Sequence, residues 1–197
     1  MKEYIKCLSA MLVGVMLLGC EKTDEYISKG YRADKTYVQL KAEYERDKNV
    51  KKSEDVTELL ENMLIIADNS RELSWVIERL FEKLAQQDDY LSIVAYAEQI
   101  QTRALNHQLG GYVMYEQGRA YMQLSKNKWA EWMGVKHVYR NYDYLRRSQA
   151  VFTTLVKTYP HSVYTPKAQA ALKEIKTELD RHGVQVRQFN DKIKQQR

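Results

Sequence analysis

Apolar side chains recur at intervals of three and four residues along most of this chain, and no other feature of the sequence limits its fold so strongly. The spacing begins just after Asp34. It places apolar residues on one face of an α-helix, whereas a half-buried strand would alternate at every second residue. The pattern therefore predicts a succession of amphipathic helices. The stripes lie at residues 38–44, 56–67, 75–84, 90–100, 112–124, 150–159 and 168–179.

Composition supports helices over sheets. The 197 residues include only two prolines and eight glycines, so the turns that a sheet needs have few suitable residues. Hydrophobic residues make up 44% and charged residues 29%, which is enough apolar surface for a real core. The sequence predicts an all-α fold.

A helical repeat accounts for the best-defined part of the pattern. Gly118 fits the close-packing position of a tetratricopeptide (TPR) first helix, and Phe152 and Pro160 fit the second helix and its terminating proline. The distance from Gly118 to Pro160 exceeds what a repeat of about 34 residues allows, which predicts an insertion at residues 126–143. We therefore expect a TPR-like α-solenoid of stacked antiparallel helix pairs over residues 34–184. An irregular helical bundle would use the same stripes.

The first residues carry the pattern of an export signal. Lys2 and Lys6 precede an apolar run from Cys7 to Leu18, too short to span a membrane as a mature helix. The run ends in Leu-Leu-Gly-Cys at positions 17–20, which resembles the bacterial lipobox. We expect residues 1–19 to be a lipoprotein signal peptide, Cys20 to carry the lipid, and residues 20–33 to form a tether. A plain signal peptide with an incidental cysteine is the alternative.

The cysteine count agrees with lipidation. The chain has two cysteines, and Cys7 lies within the signal, so the mature protein would keep one thiol without a disulfide partner. A free thiol is a liability in an oxidising compartment, and a lipid on Cys20 removes it. Several acyl chains would make the anchor stable. No cofactor other than this covalent lipid is expected.

Charge divides the chain into two ends. Residues 20–110 carry a net charge of −5, and residues 111–197 carry +9. The basic half, with its C-terminal helix or tail at residues 185–197, suits an acidic protein partner or lipid head groups. An export signal argues against nucleic acid. Ordinary solvated helix faces would give the same counts.

No catalytic or metal-binding pattern stands out. The four histidines, at positions 107, 137, 161 and 182, have no ligand-like spacing. The sequence contains no Gly-rich phosphate loop, GxSxG or HExxH motif. We predict that the protein is not an enzyme, holds no metal and takes no small-molecule substrate.

Two groups of residues are candidates for binding a partner. Tyr112, Tyr115, Arg119 and Met122 share one helical face, which would line the concave groove of a TPR array. Aromatic residues beside an arginine are typical of protein recognition, although both tyrosines could instead pack against the next helix. Trp129 and Trp132, in the predicted insertion, form the second candidate, provided that they are exposed.

Several segments resemble one known family. They are Tyr112–Gly118, Met122, Leu124, Gly134-Val135 and Ala150–Phe152, then Leu155–Tyr164 with its Tyr-Pro-His-Ser-Val-Tyr ending, then Ala168, Leu172, Ile175 and Leu179. Val184, Val186 and Phe189 resemble the start of the helix that follows. These segments are similar to the BamD family of lipoproteins, also called ComL or YfiO. The resemblance is good over residues 110–190 and loose over 34–109.

The resemblance implies a scaffold anchored in the outer membrane, facing the periplasm, that helps assemble and insert β-barrel proteins. Its expected partners are the BamA-type assembly complex and unfolded β-barrel precursors. Family members continue through a further TPR, so the resemblance predicts a short form that lacks the last repeat. A lipid-anchored TPR adaptor of another envelope system, such as secretion, pili or cell-wall machinery, is the alternative function.

Overall fold

The computed structural model describes residues 35–49, 53–101, 107–126 and 141–195, and within these ranges the chain forms helices and no strands. The predicted all-α fold class of TPR-like helix pairs is confirmed. The seven helices are α1 (Tyr37–Asp47), α2 (Ser53–Ile66), α3 (Ser70–Gln86), α4 (Tyr90–Gln101), α5 (His107–Leu124), α6 (Tyr142–Thr158) and α7 (Thr165–Gln195).

Some predicted features lie outside the described residues. They include the signal peptide at residues 1–19, the lipid-bearing Cys20 and the tether at 20–33. Trp129, Trp132 and most of the insertion at residues 126–143 also lie outside.

The chain divides into two compact units, Met1–Asp68 and Asn69–Arg197. In the first unit α1 packs on α2, and both helices contribute buried apolar side chains, among them Leu40 and Met63. A capping box starts α1: Thr36 accepts a hydrogen bond from the Gln39 backbone amide, and the Gln39 side chain accepts one from the Thr36 amide.

In the second unit, α3 and α4 form a helix pair joined by a short polar turn. Asn69 caps α3 by accepting hydrogen bonds from the next turn's amides. Gln87, Asp88 and Asp89 separate the two helices. Asp88 there has a φ of 59°, a left-handed conformation that aspartate tolerates better than most residues. The apolar stripe of α3, including Val76, Leu80 and Phe81, is buried.

Gly118 lets α5 and α6 approach closely, as the repeat predicts. A Cβ atom built on Gly118 would lie 2.5–2.8 Å from three ring carbons of Phe152, closer than real side chains come. One turn earlier on α6, the buried Ser148 hydroxyl donates a 2.8 Å hydrogen bond to the Gly118 carbonyl oxygen. Tyr121 on α5 stacks on Tyr144 of α6. Residue numbers increase along α5 while those of the contacting α6 residues decrease, so the two helices run antiparallel.

The α5 helix also pairs with α4. Gln101 donates a 2.9 Å hydrogen bond to the buried Gln117, and the Tyr121 hydroxyl donates one of 3.2 Å to Glu98. The same antiparallel order holds, so α5 lies between α4 and α6. Each buried polar side chain named here has a partner, which limits the cost of burying it.

The two ends of the segment between α5 and α6 are tied together. The Asn141 amide donates a 2.9 Å hydrogen bond to the Ser125 carbonyl oxygen. The Ser125 side chain is buried and donates to the Met122 carbonyl oxygen. Asn141 then caps α6 through its side chain. The end of α5 and the start of α6 are thus held next to each other by a backbone hydrogen bond.

The last helix differs from the sequence prediction. The sequence suggests a new helix near Val184 and a separate C-terminal helix or tail from residue 185. In the structure, α7 runs without interruption from Thr165 to Gln195, so this predicted boundary lies inside one helix. Gly183 is the weakest helix former after the first turn of α7, and its helical cost of about 1 kcal/mol relative to alanine does not break a helix that is already nucleated.

Gly118 and Gly183 give a matched test of the packing. Gly118→Ala forces the Phe152 ring to move and should lower the free energy of unfolding by about 1–3 kcal/mol. Gly183→Ala has no heavy atom within 4 Å of the new Cβ and should raise it by about 0.5–1 kcal/mol. Urea unfolding followed by circular dichroism measures both. Equal effects of the two substitutions would contradict the close approach.

Candidate partner-binding site

A tight turn between α6 and α7 positions one side of the candidate site. The Ser162 amide donates a 3.0 Å hydrogen bond to the Tyr159 carbonyl oxygen, and the Thr165 hydroxyl donates one of 2.6 Å to the same oxygen. Pro160 follows the end of α6, where a helix can no longer continue. These bonds satisfy the buried polar groups of Ser162 and Thr165 and fix the start of α7.

Two glycines at the start of α5 make room for this turn. A Cβ on Gly110 would meet the Tyr159 ring, with Cζ at 2.5 Å, and a Cβ on Gly111 would meet the Ser162 side chain, with its Cβ at 2.9 Å. The turn therefore lies directly on the α5 backbone. This contact brings Tyr164 against the face of α5 that the sequence singles out.

Three tyrosines form a ring-to-ring cluster, called here the tyrosine cluster: Tyr112 and Tyr115 of α5 and Tyr164 of the turn. The Tyr164 ring centroid lies 5.5 Å from that of Tyr112 and 5.2 Å from that of Tyr115. Tyr112 also stacks on Phe81 of α3 at 6.2 Å, and Tyr115 contacts Phe152 of α6 at 5.9 Å. These distances are those of favourable aromatic pairs.

Two cations lie over the tyrosine cluster. The Arg119 Cζ atom is 5.9 Å from the Tyr115 ring centroid, and the Lys167 Nζ atom is 5.9 Å from Tyr115 and 5.4 Å from Tyr164. Both residues are exposed. Each contact is within the range in which the negative face of an aromatic ring attracts a cation. The cluster thus presents partly buried aromatic faces edged by positive charge.

Glu116 is the acidic member of the site. Both of its carboxylate oxygens accept hydrogen bonds of 3.1 Å from Arg119 Nη1. The Glu116 side chain is 15% exposed and that of Arg119 is 51% exposed, so the ion pair lies at the edge of the core. Burial raises the pKa of Glu116, while Arg119 and Lys167 oppose that rise. The two cations therefore help to keep the carboxylate charged.

The structure places the four predicted residues of α5 at different depths. Tyr112 and Tyr115 are half-buried and pack against neighbouring elements, as the alternative interpretation anticipates. Arg119 is exposed, whereas Met122 packs against the core around Phe152. Trp129 and Trp132 lie outside the described residues.

Sequence reasoning did not assign Tyr164 or Lys167 to this site. Tyr164 belongs to the Tyr-Pro-His-Ser-Val-Tyr segment, but the sequence shows no reason why that segment should return to α5. The paired glycines at 110 and 111 are the one available signal, since adjacent glycines in a helix indicate that backbone or side chains approach closely.

The described residues contain no group of histidine, cysteine and acidic side chains that could hold a metal ion. Among the same residues, no helix is both long and apolar enough to cross a membrane.

Burial of Tyr112 predicts a pH effect on stability. Burial is the largest cause of the raised pKa of Tyr112, and Glu116 and Glu78 add to it. The pKa of Tyr112 in the folded state lies above the unfolded value of about 10. The contribution of the protonated hydroxyl to the free energy of unfolding is therefore complete below pH 10. It is lost as the pH rises from there towards the folded-state pKa. Tyr112→Phe should reduce this alkaline loss. Tyr164 and Tyr121 also have pKa values raised by burial, so part of the loss should remain.

Urea unfolding at pH 8 and at pH 10.5 measures the difference. At pH 8 the hydroxyl is protonated in both states, so that arm reports only the loss of the hydroxyl group itself and serves as the control. If the free energy of unfolding fell by the same amount from pH 8 to pH 10.5 in the wild type and in Tyr112→Phe, the burial of the Tyr112 hydroxyl would be contradicted.

Comparison with known proteins places the chain in a family. No curated protein matches the chain. The family whose model matches is YfiO, described as an outer membrane lipoprotein, and the match covers residues 32–196. That range contains all seven helices and the whole tyrosine cluster. The chain belongs to the YfiO family of outer membrane lipoproteins, also known as the BamD family.

Proposed function

We propose that this lipoprotein is a scaffold for the assembly and insertion of β-barrel outer membrane proteins, and that it acts by binding other proteins. The YfiO match over residues 32–196 is the observation that supports this proposal most directly. The helix pairs agree with it, because such arrays present extended surfaces to peptides and protein domains. In this proposal Cys20 carries the lipid and the helical part faces the periplasm.

The tyrosine cluster is the surface we assign to partner binding. Its rings are fixed by contacts to Phe81 and Phe152, so little side-chain freedom would be lost when a partner binds. Arg119 and Lys167 add two cationic groups over the Tyr115 and Tyr164 rings. Together these features suit a segment that combines an aromatic or aliphatic side chain with an acidic one.

The lipid would contribute to affinity as well as to location. We expect the tyrosine cluster to bind a partner weakly on its own. Confining it to the membrane in which its partners are assembled raises their effective concentration without adding contacts. The scaffold would then act through a lipid anchor and a modest protein-binding surface together.

The partner is tested by purifying tagged full-length protein from detergent-solubilised outer membranes. We expect a BamA-type protein and unfolded β-barrel precursors to be recovered with it. Lys167→Glu should lower that recovery by about two- to fivefold, because it removes a cation that would pair with an acidic side chain of the partner. Lys173→Glu, another exposed lysine of α7, is the matched control and should change nothing. Recovery of secretion, pilus or cell-wall components instead would favour the adaptor function and contradict the proposal.

The anchor is tested by Cys20→Ser. This variant should move from the membrane fraction to the soluble fraction and lose activity in cells, because the surface is no longer concentrated near its partners. Its circular dichroism spectrum and unfolding midpoint should match those of the wild type. Full activity of Cys20→Ser in cells would refute the role of the lipid.

A further inference from the structure

An acidic residue of α3 lies beside the tyrosine cluster. Phe81 of α3 stacks on Tyr112, and Glu78 lies one turn earlier on the same helix, about 60° from Phe81 around its axis. Burial is the largest cause of the raised pKa of Tyr164, and of the charges that add to it Glu78 has the greatest effect. The pKa of Tyr112 is raised by burial, then by Glu116 and Glu78. A charge changes the pKa of a hydroxyl in this way only from nearby, so Glu78 lies at the α3 edge of the cluster.

The Glu78 carboxylate is available to a partner. Its side chain is exposed, and no described side chain forms an ion pair or a hydrogen bond with it. The next residue, Arg79, donates a 3.0 Å hydrogen bond to Glu82. Arg79 also lies about 160° from Phe81 around α3, on the side away from α5. The α3 edge of the cluster therefore presents one uncompensated negative charge.

The opposite edge of the cluster, formed by α5 and the start of α7, carries one surplus positive charge. Both carboxylate oxygens of Glu116 accept hydrogen bonds from Arg119, so these two charges compensate each other. Lys167 lies over the Tyr115 and Tyr164 rings, is exposed and forms no ion pair with any residue that the structure describes. One acidic and two basic side chains leave this edge with a net charge of +1.

Opposite charges at the two edges limit which segments can bind well. A segment with acidic residues on both sides of its apolar side chain would be attracted by Lys167 and repelled by Glu78, and a segment with basic residues on both sides would meet the reverse. A segment with one acidic and one basic flank is attracted at both edges. In an extended chain every second side chain lies on the same face, so an apolar residue and both flanking charges can face the cluster together.

We propose that Glu78 and Lys167 select an extended partner segment in which a basic and an acidic side chain flank an aromatic or aliphatic one. The basic side chain lies next to Glu78 and the acidic one next to Lys167. This inference rests on the proposed role of the tyrosine cluster in partner binding. It adds a basic residue to the segment that the cluster recognises, and it makes Glu78 a specificity-determining residue.

Four capped peptides of about nine residues, which span about 30 Å when extended, serve as probes. Each has phenylalanine in the middle and serine at every second position. One carries two lysines before the phenylalanine and two glutamates after it, and the others carry only glutamate, only lysine or only glutamine at these positions. Fluorescence anisotropy measures their binding to the full-length protein in detergent at about 0.15 M salt, which screens distant charges. The mixed-charge peptide should bind about two- to tenfold more tightly than the others.

Charge reversal should exchange these preferences. Glu78→Lys makes both edges positive and should make the all-glutamate peptide the tightest binder, and Lys167→Glu should do the same for the all-lysine peptide. The double variant exchanges the two edges, so a peptide bound in the opposite direction should restore the preference for mixed charge. Circular dichroism checks that each variant is folded.

Asp180→Lys is the control for the added positive charge. Asp180 is an exposed acid of α7, about 140° from Lys167 around the helix and about 20 Å along it. Its reversal should change the binding of each peptide by less than about twofold. An equal effect of Asp180→Lys and Glu78→Lys would overturn the inference, because the peptides would then respond only to total charge.

Two other outcomes separate this inference from the role of the cluster itself. Equal binding of all four peptides, or tightest binding of the all-glutamate peptide to the wild type, would overturn the selection by Glu78 and leave the cluster as a binding surface. Binding of none of the peptides would overturn both. The role in β-barrel assembly is tested separately, by the proteins recovered with the tagged protein.

Discussion

The close approach of α5 and α6 at Gly118 is the contact on which the second unit depends. The Phe152 ring occupies the space that a side chain at position 118 would need, and Ser148 bonds to the glycine carbonyl oxygen beside it. Only glycine, whose side chain is a single hydrogen atom, permits both contacts at position 118. Since α5 also pairs with α4, and α6 with α7, the spacing set at Gly118 determines where four helices lie.

The same spacing determines the candidate site. With α6 held close to α5, the turn that follows α6 falls on Gly110 and Gly111, and Tyr164 comes to rest between Tyr112 and Tyr115. The tyrosines are therefore both packing residues and a surface. Tyr112 stacks on Phe81, Tyr115 contacts Phe152, and Arg119 and Lys167 lie over the rings of Tyr115 and Tyr164. Packing and recognition are thus compatible interpretations of the same side chains.

The sequence predicts the helices well because each depends on local spacing. The stripes of α3 and α6 and the close-packing role of Gly118 all depend on patterns within a few turns. Tyr164 and Lys167 could not be found in this way, because the turn with Tyr164 and the start of α7 with Lys167 meet α5 across about 50 residues of chain. The length of α7 was missed for another reason. Gly183 weakens a helix, but α7 is already nucleated before it and continues through it.

The bond between Asn141 and Ser125 closes the ends of the segment that separates α5 from α6. Closing a longer loop costs only about 0.6 kcal/mol for each doubling of its length. The helix pair is therefore nearly insensitive to how many residues lie between these two anchor points. Evolution can lengthen, shorten or replace the segment without altering the packing at Gly118, so new binding specificities can arise there on an unchanged scaffold.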